Sequence, residues 1–169
     1  MRNIYLLLFL MLFRFLQAQI INIPDANFKA KLLSASSSNE IAQNLIGNYD
    51  VIDANGDGEI QVSEAQNIQK LYVPLSNISN LTGVEEFTNL QNLYCQYNQL
   101  TSLDVTQNVN LQTLYCNNNQ LTSLDVSQNV NLEYFSCNTN QLTSLDVSQN
   151  LNLQELSCVT NQLTSLDVS

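Results

Sequence analysis

The chain has 169 residues, which allows one domain with a small additional segment, and its 15 acidic residues against 5 basic ones give a formal net charge of −10. No Lys or Arg follows Lys70, which argues against nucleic acid and anionic lipid as partners, because affinity for phosphate groups depends on basic side chains. Histidine, the commonest general base, is absent, and we predict that the protein is not an enzyme.

Residues 1–18 are predicted to be a secretory signal peptide. Arg2 gives a short positive start, residues 4–16 are mostly apolar, and Ala18 is a small residue suited to cleavage. The apolar run is too short to span a bilayer, and the sequence predicts no transmembrane segment. We therefore expect an exported protein, secreted or held at the cell surface. The alternative for residues 1–18 is a buried or interfacial helix.

Residues 19–67 are predicted to form a small helical N-terminal cap. PDANFKAKLL at 24–33 indicates a helix with Asp25 as its N-cap. NEIAQNLIG at 39–47 predicts a second short helix, because two apolar residues lie one turn apart and a glycine follows. SEAQNIQK at 63–70 predicts a third helix that leads out of the cap.

Within the cap, DANGDGEIQVSE at 53–64 places oxygen-bearing side chains at every second position at its start. This stretch resembles the calcium loop of the EF-hand, with a glycine, Gly58, at the sixth position and a glutamate at the twelfth. The alternative is a polar surface turn with accidental carboxylates. The resemblance implies that Ca²⁺ is bound by Asp53, Asn55, Asp57, Glu59 through its backbone carbonyl, Gln61 and Glu64.

A 21-residue repeat fills residues 90–169, with the last copy incomplete, and residues 68–89 are a divergent first copy. Each repeat divides into half-repeats of 10 and 11 residues, L-x-x-L-x-C-x-x-N and L-x-x-L-x-V-x-x-N. In both halves apolar and polar residues alternate over three positions, which indicates a short strand. A single turn cannot bury its apolar side alone, whereas stacked turns bury a continuous column of Leu, Cys and Val.

These patterns resemble the consensus of leucine-rich repeats, and the doubled half-repeat is similar to a bacterial subclass of that family. The resemblance implies an α+β solenoid, in which a leucine-rich repeat coil has parallel, in-register short strands on two walls and is preceded by the helical cap. EF-hand loops usually occur in pairs and only one is visible here, which favours a structural role. We therefore predict that calcium holds the cap against the first coil.

One cysteine and one aspartate recur every 21 residues and form two columns. We predict that the cysteines are buried reduced thiols, because parallel side chains about 4.8 Å apart neither reach disulfide distance nor converge on a zinc ion. We predict that the aspartates are bonded to adjacent hydroxyls or backbone amides, and a row of loosely held divalent cations is the alternative. The columns are Cys95, Cys116, Cys137 and Cys158, and Asp104, Asp125, Asp146 and Asp167.

Tyrosines on one wall mark the predicted recognition surface, because Tyr offers a flat apolar face and a hydroxyl at modest entropic cost. We predict an exported, calcium-stabilised binding or adhesion module that recognises a protein or glycan through this strand face. The alternative is a spacer without a ligand, or a fragment of a longer array whose uncapped last coil self-associates. The tyrosines are Tyr94, Tyr97, Tyr115 and Tyr134.

Overall fold

The computed structural model describes residues 19–168, and the predicted signal peptide at residues 1–18 lies outside the described residues. The described part is a solenoid of stacked coils with a small cap at its N-terminal end. No helix within residues 19–168 is long and apolar enough to cross a bilayer.

Helix α1 spans Ala26–Leu33 and begins where the sequence predicts. It starts there because the Asp25 carboxylate accepts a 2.9 Å hydrogen bond from the Phe28 backbone N–H. Phe28 and Leu32 lie one turn apart and are fully buried. The other oxygen of Asp25 accepts bonds of 2.8 and 2.7 Å from the N–H and hydroxyl of Ser79. One carboxylate therefore caps α1 and joins the cap to the first coil.

Strand β1 spans Ala42–Asn44, so the second predicted helix of the cap is wrong. Asn44 Oδ1 accepts hydrogen bonds of 3.2 and 3.1 Å from the backbone N–H groups of Ile46 and Asn48. These bonds stabilise a turn in place of a helix. Gly47 completes the turn with a φ of +85°, a conformation that glycine adopts without strain.

Helix α2 is a single turn at Val62–Ala65, and strand β2 follows at Ile68–Tyr72. The third predicted helix is therefore shorter than expected, because its second half joins the sheet. Strand β2 pairs antiparallel with β1, so the cap contributes a strand that covers the first edge of the sheet. Covered edges prevent unwanted strand pairing with other chains.

Six further strands follow in chain order, namely β3 (Asn92–Tyr94), β4 (Thr113–Tyr115), β5 (Tyr134–Ser136), β6 (Ser144–Asp146), β7 (Glu155–Ser157) and β8 (Ser165–Asp167). The main sheet has the order β1-β2-β3-β4-β5-β7, and all its pairings after β1 are parallel. Leu71 pairs with Leu93 and Leu93 with Leu114, which confirms the predicted in-register stacking.

The second wall is less regular than the first. Strands β6 and β8 form a parallel pair, and Leu103 and Val105 of an earlier coil are buried as predicted although no strand forms there. At Gly83, which has a φ of +104°, an added Cβ would lie 2.9 Å from a side-chain carbon of Ile23 and 3.2 Å from the Asn22 carbonyl oxygen. The glycine therefore lets the start of the cap lie directly against the first coil.

Asparagine side chains bind successive coils together. Asn119 Nδ2 donates to the carbonyls of Cys95 and Cys116 at 3.1 and 3.0 Å, and its Oδ1 accepts from the Leu100 N–H at 3.0 Å. These buried bonds satisfy backbone groups that the turns leave without a strand partner. Equivalent bonds are made by Asn98, Asn140 and Asn161.

Candidate functional site

The outward side of the main sheet, which we call the strand face, carries two ordered columns of side chains. Strand side chains alternate between the core and the outside, and parallel in-register pairing places equivalent positions one above another. The first column is Lys70, Asn92, Thr113, Tyr134 and Glu155. The second column, which we call the tyrosine column, is Tyr72, Tyr94, Tyr115, Ser136 and Ser157.

Three half-buried rings of the tyrosine column contact one another. The ring centroids of Tyr72 and Tyr94 are 5.6 Å apart with a tilt of 55°, and those of Tyr94 and Tyr115 are 5.3 Å apart at 87°. Both separations are typical of favourable aromatic pairs. Burial raises the pKa of Tyr94, and the neighbouring Tyr115 hydroxyl raises it further. The three rings therefore form one continuous aromatic surface across three coils.

The structure separates the four predicted face tyrosines into three positions. Tyr94 and Tyr115 share the tyrosine column, whereas Tyr134 lies in the first column, opposite Thr113. The Tyr134 hydroxyl lies 3.2 Å from Gln154 Oε1. Tyr97 follows β3 in a turn, has a φ of +58° and is 53% exposed. Of these four tyrosines, only Tyr94 and Tyr115 therefore repeat at the same position of successive coils.

Lys70 and two further tyrosines belong to this face and were not among the predicted residues. The Lys70 ammonium lies 5.6 Å from the ring centroid of Tyr49, 5.9 Å from that of Tyr72 and 5.5 Å from that of Tyr94. All three distances are within the range of cation–π attraction. The offset of 22 residues between the first two copies was the sequence signal that could have placed Tyr72 beside Tyr94.

Beyond Tyr115 the next two residues of the tyrosine column are Ser136 and Ser157, so small side chains replace the rings there. Exposed Glu155 ends the first column. Beside it, Gln154 Nε2 donates a 3.0 Å hydrogen bond to Glu133 Oε2. The face therefore has an aromatic half with one cation and a polar half with two carboxylates.

The aspartate column lies on the second wall, where its members are exposed. Asp104 Oδ1 accepts bonds of 3.0 and 2.7 Å from the backbone N–H and hydroxyl of Thr106, and Asp125 Oδ1 accepts one of 2.9 Å from the Ser127 N–H. These bonds lower the pKa of both carboxyl groups. The predicted bonding to adjacent hydroxyls and amides is confirmed.

The loop at 53–64 is closed by its own carboxylates. Asp53 Oδ1 accepts hydrogen bonds from the N–H groups of Gly56 and Asp57 at 2.8 and 3.1 Å, and its Oδ2 accepts from Gly58 at 3.0 Å. Both glycines have positive φ, +72° and +81°, which other residues adopt only with strain. The bond from the Glu59 backbone N–H lowers the pKa of Asp57.

Side chains at alternate loop positions converge. Asn55 Nδ2 lies 3.0 Å from both Asp57 Oδ2 and Gln61 Oε1, and Gln61 Nε2 lies 2.9 Å from Asp57 Oδ2. Turning these amides would present oxygen in place of nitrogen. Carboxylate, amide and carbonyl oxygens are the ligands that Ca²⁺ takes, so this set of residues fits calcium chemically.

The last predicted ligand, Glu64, is buried and engaged with the backbone. Its Oε1 accepts a 2.8 Å bond from the Ala54 N–H and its Oε2 a 3.0 Å bond from the Gln61 N–H. The Glu59 side chain instead forms a 2.6 Å ion pair with Lys29 of α1. In this arrangement no three or more His, Cys, Asp or Glu side chains of the described chain are grouped as metal ligands.

Backbone pairing attaches the loop to the start of the described chain. Ile21 N–H donates to the Ile60 carbonyl at 2.8 Å, and Val62 N–H donates to the Gln19 carbonyl at 2.9 Å. Ile60 is fully buried. The extended segment at 19–21 therefore holds the end of the loop by backbone hydrogen bonds.

The cysteine column lies inside the coil. Cys95, Cys116 and Cys137 are buried, Cys158 is partly exposed, and all of them are free thiols. Burial raises the pKa of Cys95 and Cys137 to about 12 and raises that of Cys116 well above its usual value. The cysteines therefore act as small apolar core residues, as predicted.

Comparisons with known proteins agree with this architecture. The family model for leucine-rich repeats in two copies matches residues 88–129 and 109–150. No curated protein sequence matches the chain. Among solved structures, the functional domain of InlJ from Listeria monocytogenes, which includes a cysteine ladder, is 37% identical with a TM-score of 0.73. That alignment covers 90% of this chain and 31% of the InlJ chain.

Two further structures share the fold. An internalin, InlF, from Listeria monocytogenes is 22% identical with a TM-score of 0.67, over 88% of this chain and 45% of that one. A leucine-rich repeat protein from Leptospira interrogans is 25% identical with a TM-score of 0.50, over 64% of this chain and 33% of that one. The chain thus spans less than half of each of these relatives.

Proposed function

We propose, from the premise that the chain is a leucine-rich repeat protein related to the Listeria internalins, that it is an exported recognition module that binds a protein or glycan through its strand face. Internalin-type solenoids are typically binding modules, and the absence of histidine from the sequence agrees with a function without acid–base catalysis.

The tyrosine column is the observation that carries this proposal. Three tyrosine rings in mutual contact form a preorganised surface, so a ligand binds it without the cost of ordering flexible side chains. Tyr is also among the residues that contribute most energy to protein interfaces. The polar groups around the rings, such as Asn92 and Gln154, can provide hydrogen bonds that orient a ligand.

We further propose that the loop at 53–64 binds calcium and stabilises the cap. Convergent oxygen-bearing side chains support this, as do the backbone bonds from Ile21 to Ile60 and from Val62 to Gln19 and the ion pair of Glu59 with Lys29. Asp53, Asn55, Asp57, Gln61 and Glu64 would hold the ion with side-chain oxygens, and Glu59 with its carbonyl. A cation bound there neutralises the loop carboxylates and fixes the segment that covers the first coil.

The recognition proposal is tested with arrays of glycans and extracellular proteins in millimolar calcium. The test variant combines Tyr94→Ala, Tyr115→Ala and Tyr134→Ala. The matched control combines Thr101→Ala, Thr122→Ala and Thr143→Ala, which lie on exposed positions outside the strand face. We expect at least one ligand that the tyrosine variant loses and the threonine variant retains. Equal binding by both variants places the site elsewhere, and no ligand on either array favours the spacer.

A further inference from the structure

The strand face already holds one cation of its own chain. Lys70 belongs to the first column, and its ammonium lies 5.9 Å from the ring centroid of Tyr72 and 5.5 Å from that of Tyr94. Tyr72 belongs to the same strand as Lys70, and Tyr94 belongs to the next coil. The rings of the tyrosine column are therefore oriented so that a positive charge between two coils is attracted by both.

The repeat places a second ring pair one coil further along, at a similar centroid separation of 5.3 Å but with an interplanar angle of 87° in place of 55°. A shift of one coil, about 4.8 Å, moves the Lys70 position onto Asn92 and the ring pair onto Tyr94 and Tyr115. Asn92 is short and carries no charge, and within residues 19–168 Lys70 is the one basic side chain in cation–π contact with these rings. A positive group from a partner placed above Asn92 would lie near both rings, and the attraction would come from the ring whose face it meets.

The charged side chains on the rest of the strand face also favour a positively charged partner. No Lys or Arg follows Lys70 in the sequence, and Glu133 and Glu155 lie two to three coils beyond Asn92. At one coil per 4.8 Å these carboxylates are about 10 to 15 Å from the point above Asn92. A single small ammonium ion cannot span that distance, whereas a peptide segment with two or more basic side chains can.

We propose that the strand face binds a basic segment of a partner protein, with a Lys or Arg side chain above Asn92 between the rings of Tyr94 and Tyr115, and a second basic side chain at Glu155. This inference rests on the proposed recognition function and names the chemistry of its partner. Glu133 and Glu155 attract such a segment. Lys70, one coil away, repels a cation above Asn92, so the ring contacts there have to outweigh that repulsion, and the rings and carboxylates together fix the register.

The experiment uses a fluorescein-labelled peptide of four Gly-Ser-Arg units and an isosteric peptide in which citrulline replaces each arginine. Binding is measured by fluorescence polarisation in millimolar calcium and about 100 mM NaCl, where the Debye length is about 10 Å. Four variants are compared, with Asn92→Gln as a fifth that controls for side-chain length. Asn92→Lys places an ammonium group of the protein itself at the proposed binding site for the basic side chain. Thr101→Lys adds the same charge outside the strand face. Tyr115→Leu removes the ring but keeps apolar area, and Asp125→Asn removes one negative charge from the second wall.

We expect the arginine peptide to bind and the citrulline peptide not to bind. Asn92→Lys and Tyr115→Leu should weaken binding about fivefold or more, the effect of losing a cation–π contact of ordinary strength. Thr101→Lys and Asp125→Asn should change it by less than about twofold, because screened surface charges contribute little. Thermal melting confirms that each variant is folded, and Asn92→Gln, which adds length without charge, should bind as the parent does.

Three outcomes overturn the inference, namely equal binding of the citrulline peptide, equal weakening by Thr101→Lys and Asn92→Lys, and a dissociation constant for the arginine peptide above about 1 mM. Each leaves the recognition function itself standing if the array experiment finds a ligand that the tyrosine variant loses. The partner would then be a neutral protein or a glycan.

Discussion

At the scale of single residues, Asp25 shows how one side chain links two parts of the molecule. Its burial raises the pKa of the carboxyl group, but the bonds from the Phe28 N–H, the Ser79 hydroxyl and the N–H groups of Ser79 and Asn80 lower it more, and the net shift is downward. A carboxylate with a lowered pKa stabilises the folded state at neutral pH. Asp25 is therefore a source of pH-dependent stability.

Replacing Asp25 with Asn should destabilise the protein by about 1 to 3 kcal/mol at pH 7, because an amide accepts through only one oxygen and leaves buried donors without a partner. Since the folded pKa is below the unfolded value of about 3.9, the advantage of the parent is complete above that value. It is lost as the pH falls through the folded pKa.

Urea unfolding of the parent and of Asp25→Asn from pH 7 to pH 2 measures this difference in stability. Glu40→Gln, at an exposed position, should show neither effect, and a constant difference across the pH range would contradict the account.

Asn119 is a second residue whose cost of removal follows from its contacts. Its side chain makes three buried hydrogen bonds to the backbone of two coils. Asn119→Ala should lower the free energy of unfolding by about 2 to 4 kcal/mol, because it leaves one backbone N–H and two carbonyls without this partner. Asn110→Ala removes a single exposed bond to Thr88 and should cost less than about 1 kcal/mol. Similar losses in urea unfolding of the two variants would rule out a special role for the buried asparagines that join successive coils.

At the scale of elements, the proposed calcium site in the loop at 53–64 is tested by the response of thermal stability to metal ions. At about 1 mM calcium and a dissociation constant near 0.1 mM, binding adds about 1.4 kcal/mol. The melting temperature should then rise by about 3 to 6 °C for a domain of this size. Magnesium should have little effect, because its small octahedral shell does not suit this loop. The measurement is thermal unfolding in chelator, in magnesium and in calcium.

Two variants make that measurement specific. Glu64→Gln should lower the melting temperature in chelator, because it disturbs the bonds to Ala54 and Gln61, and should abolish the further rise with calcium. Glu59→Gln loses the ion pair with Lys29 but keeps the backbone carbonyl that we propose as a ligand, so its calcium response should equal that of the parent. If Glu64→Gln still responds fully, Glu64 is not a ligand.

The elements also show what the sequence could reveal and what it could not. The parallel sheet could be predicted because the 21-residue period fixes the register, and Leu93 does pair with Leu114. The helix expected around Leu45 does not form, because Asn44 bonds to the turn and β1 pairs with β2. That pairing joins distant parts of the chain, so local spacing could not show it. The sequence could have shown that Tyr134 lies in a different column from Tyr94. Tyr134 precedes the buried residue at the centre of β5, whereas Tyr94 follows the buried residue at the centre of β3.

The candidate site was predictable to a similar degree. The alternation along β3 and β4 placed Tyr94 and Tyr115 on the outside, and their contact follows from the register. The Lys70 cluster was not predicted, because Tyr49 reaches Lys70 only through the turn that follows β1. The loop residues converge as their spacing implies, but which hydrogen bonds close the loop depends on packing against the cap.

At the scale of the whole molecule, charge is distributed unevenly between the two walls. The strand face carries Lys70 and two glutamates, whereas the second wall repeats an aspartate once per coil without a basic residue among them. Neighbouring aspartates interact, since the charge of Asp125 opposes ionisation of Asp104. Hydrogen bonds from Thr106 and Ser127 compensate each carboxylate locally but leave the repulsion between coils. This repulsion should limit stability at low ionic strength.

Asp125→Asn tests that conclusion, because Asp125 lies between Asp104 and Asp146 in the column and an amide oxygen can still accept from the Ser127 N–H. Because hydrogen bonds lower the pKa of Asp125 in the folded protein, the variant also loses a local stabilisation, and the repulsion is measured by the salt dependence. In chelator, the free energy of unfolding of the variant relative to the parent should rise by a few tenths of a kcal/mol between about 1 M NaCl, where the Debye length is about 3 Å, and about 10 mM NaCl. Glu40→Gln makes the same charge change outside the column and should show a smaller salt-dependent change. If Asp125→Asn instead destabilises the protein only when calcium is present, the column binds divalent cations, and the hydrogen bonds alone do not account for its aspartates.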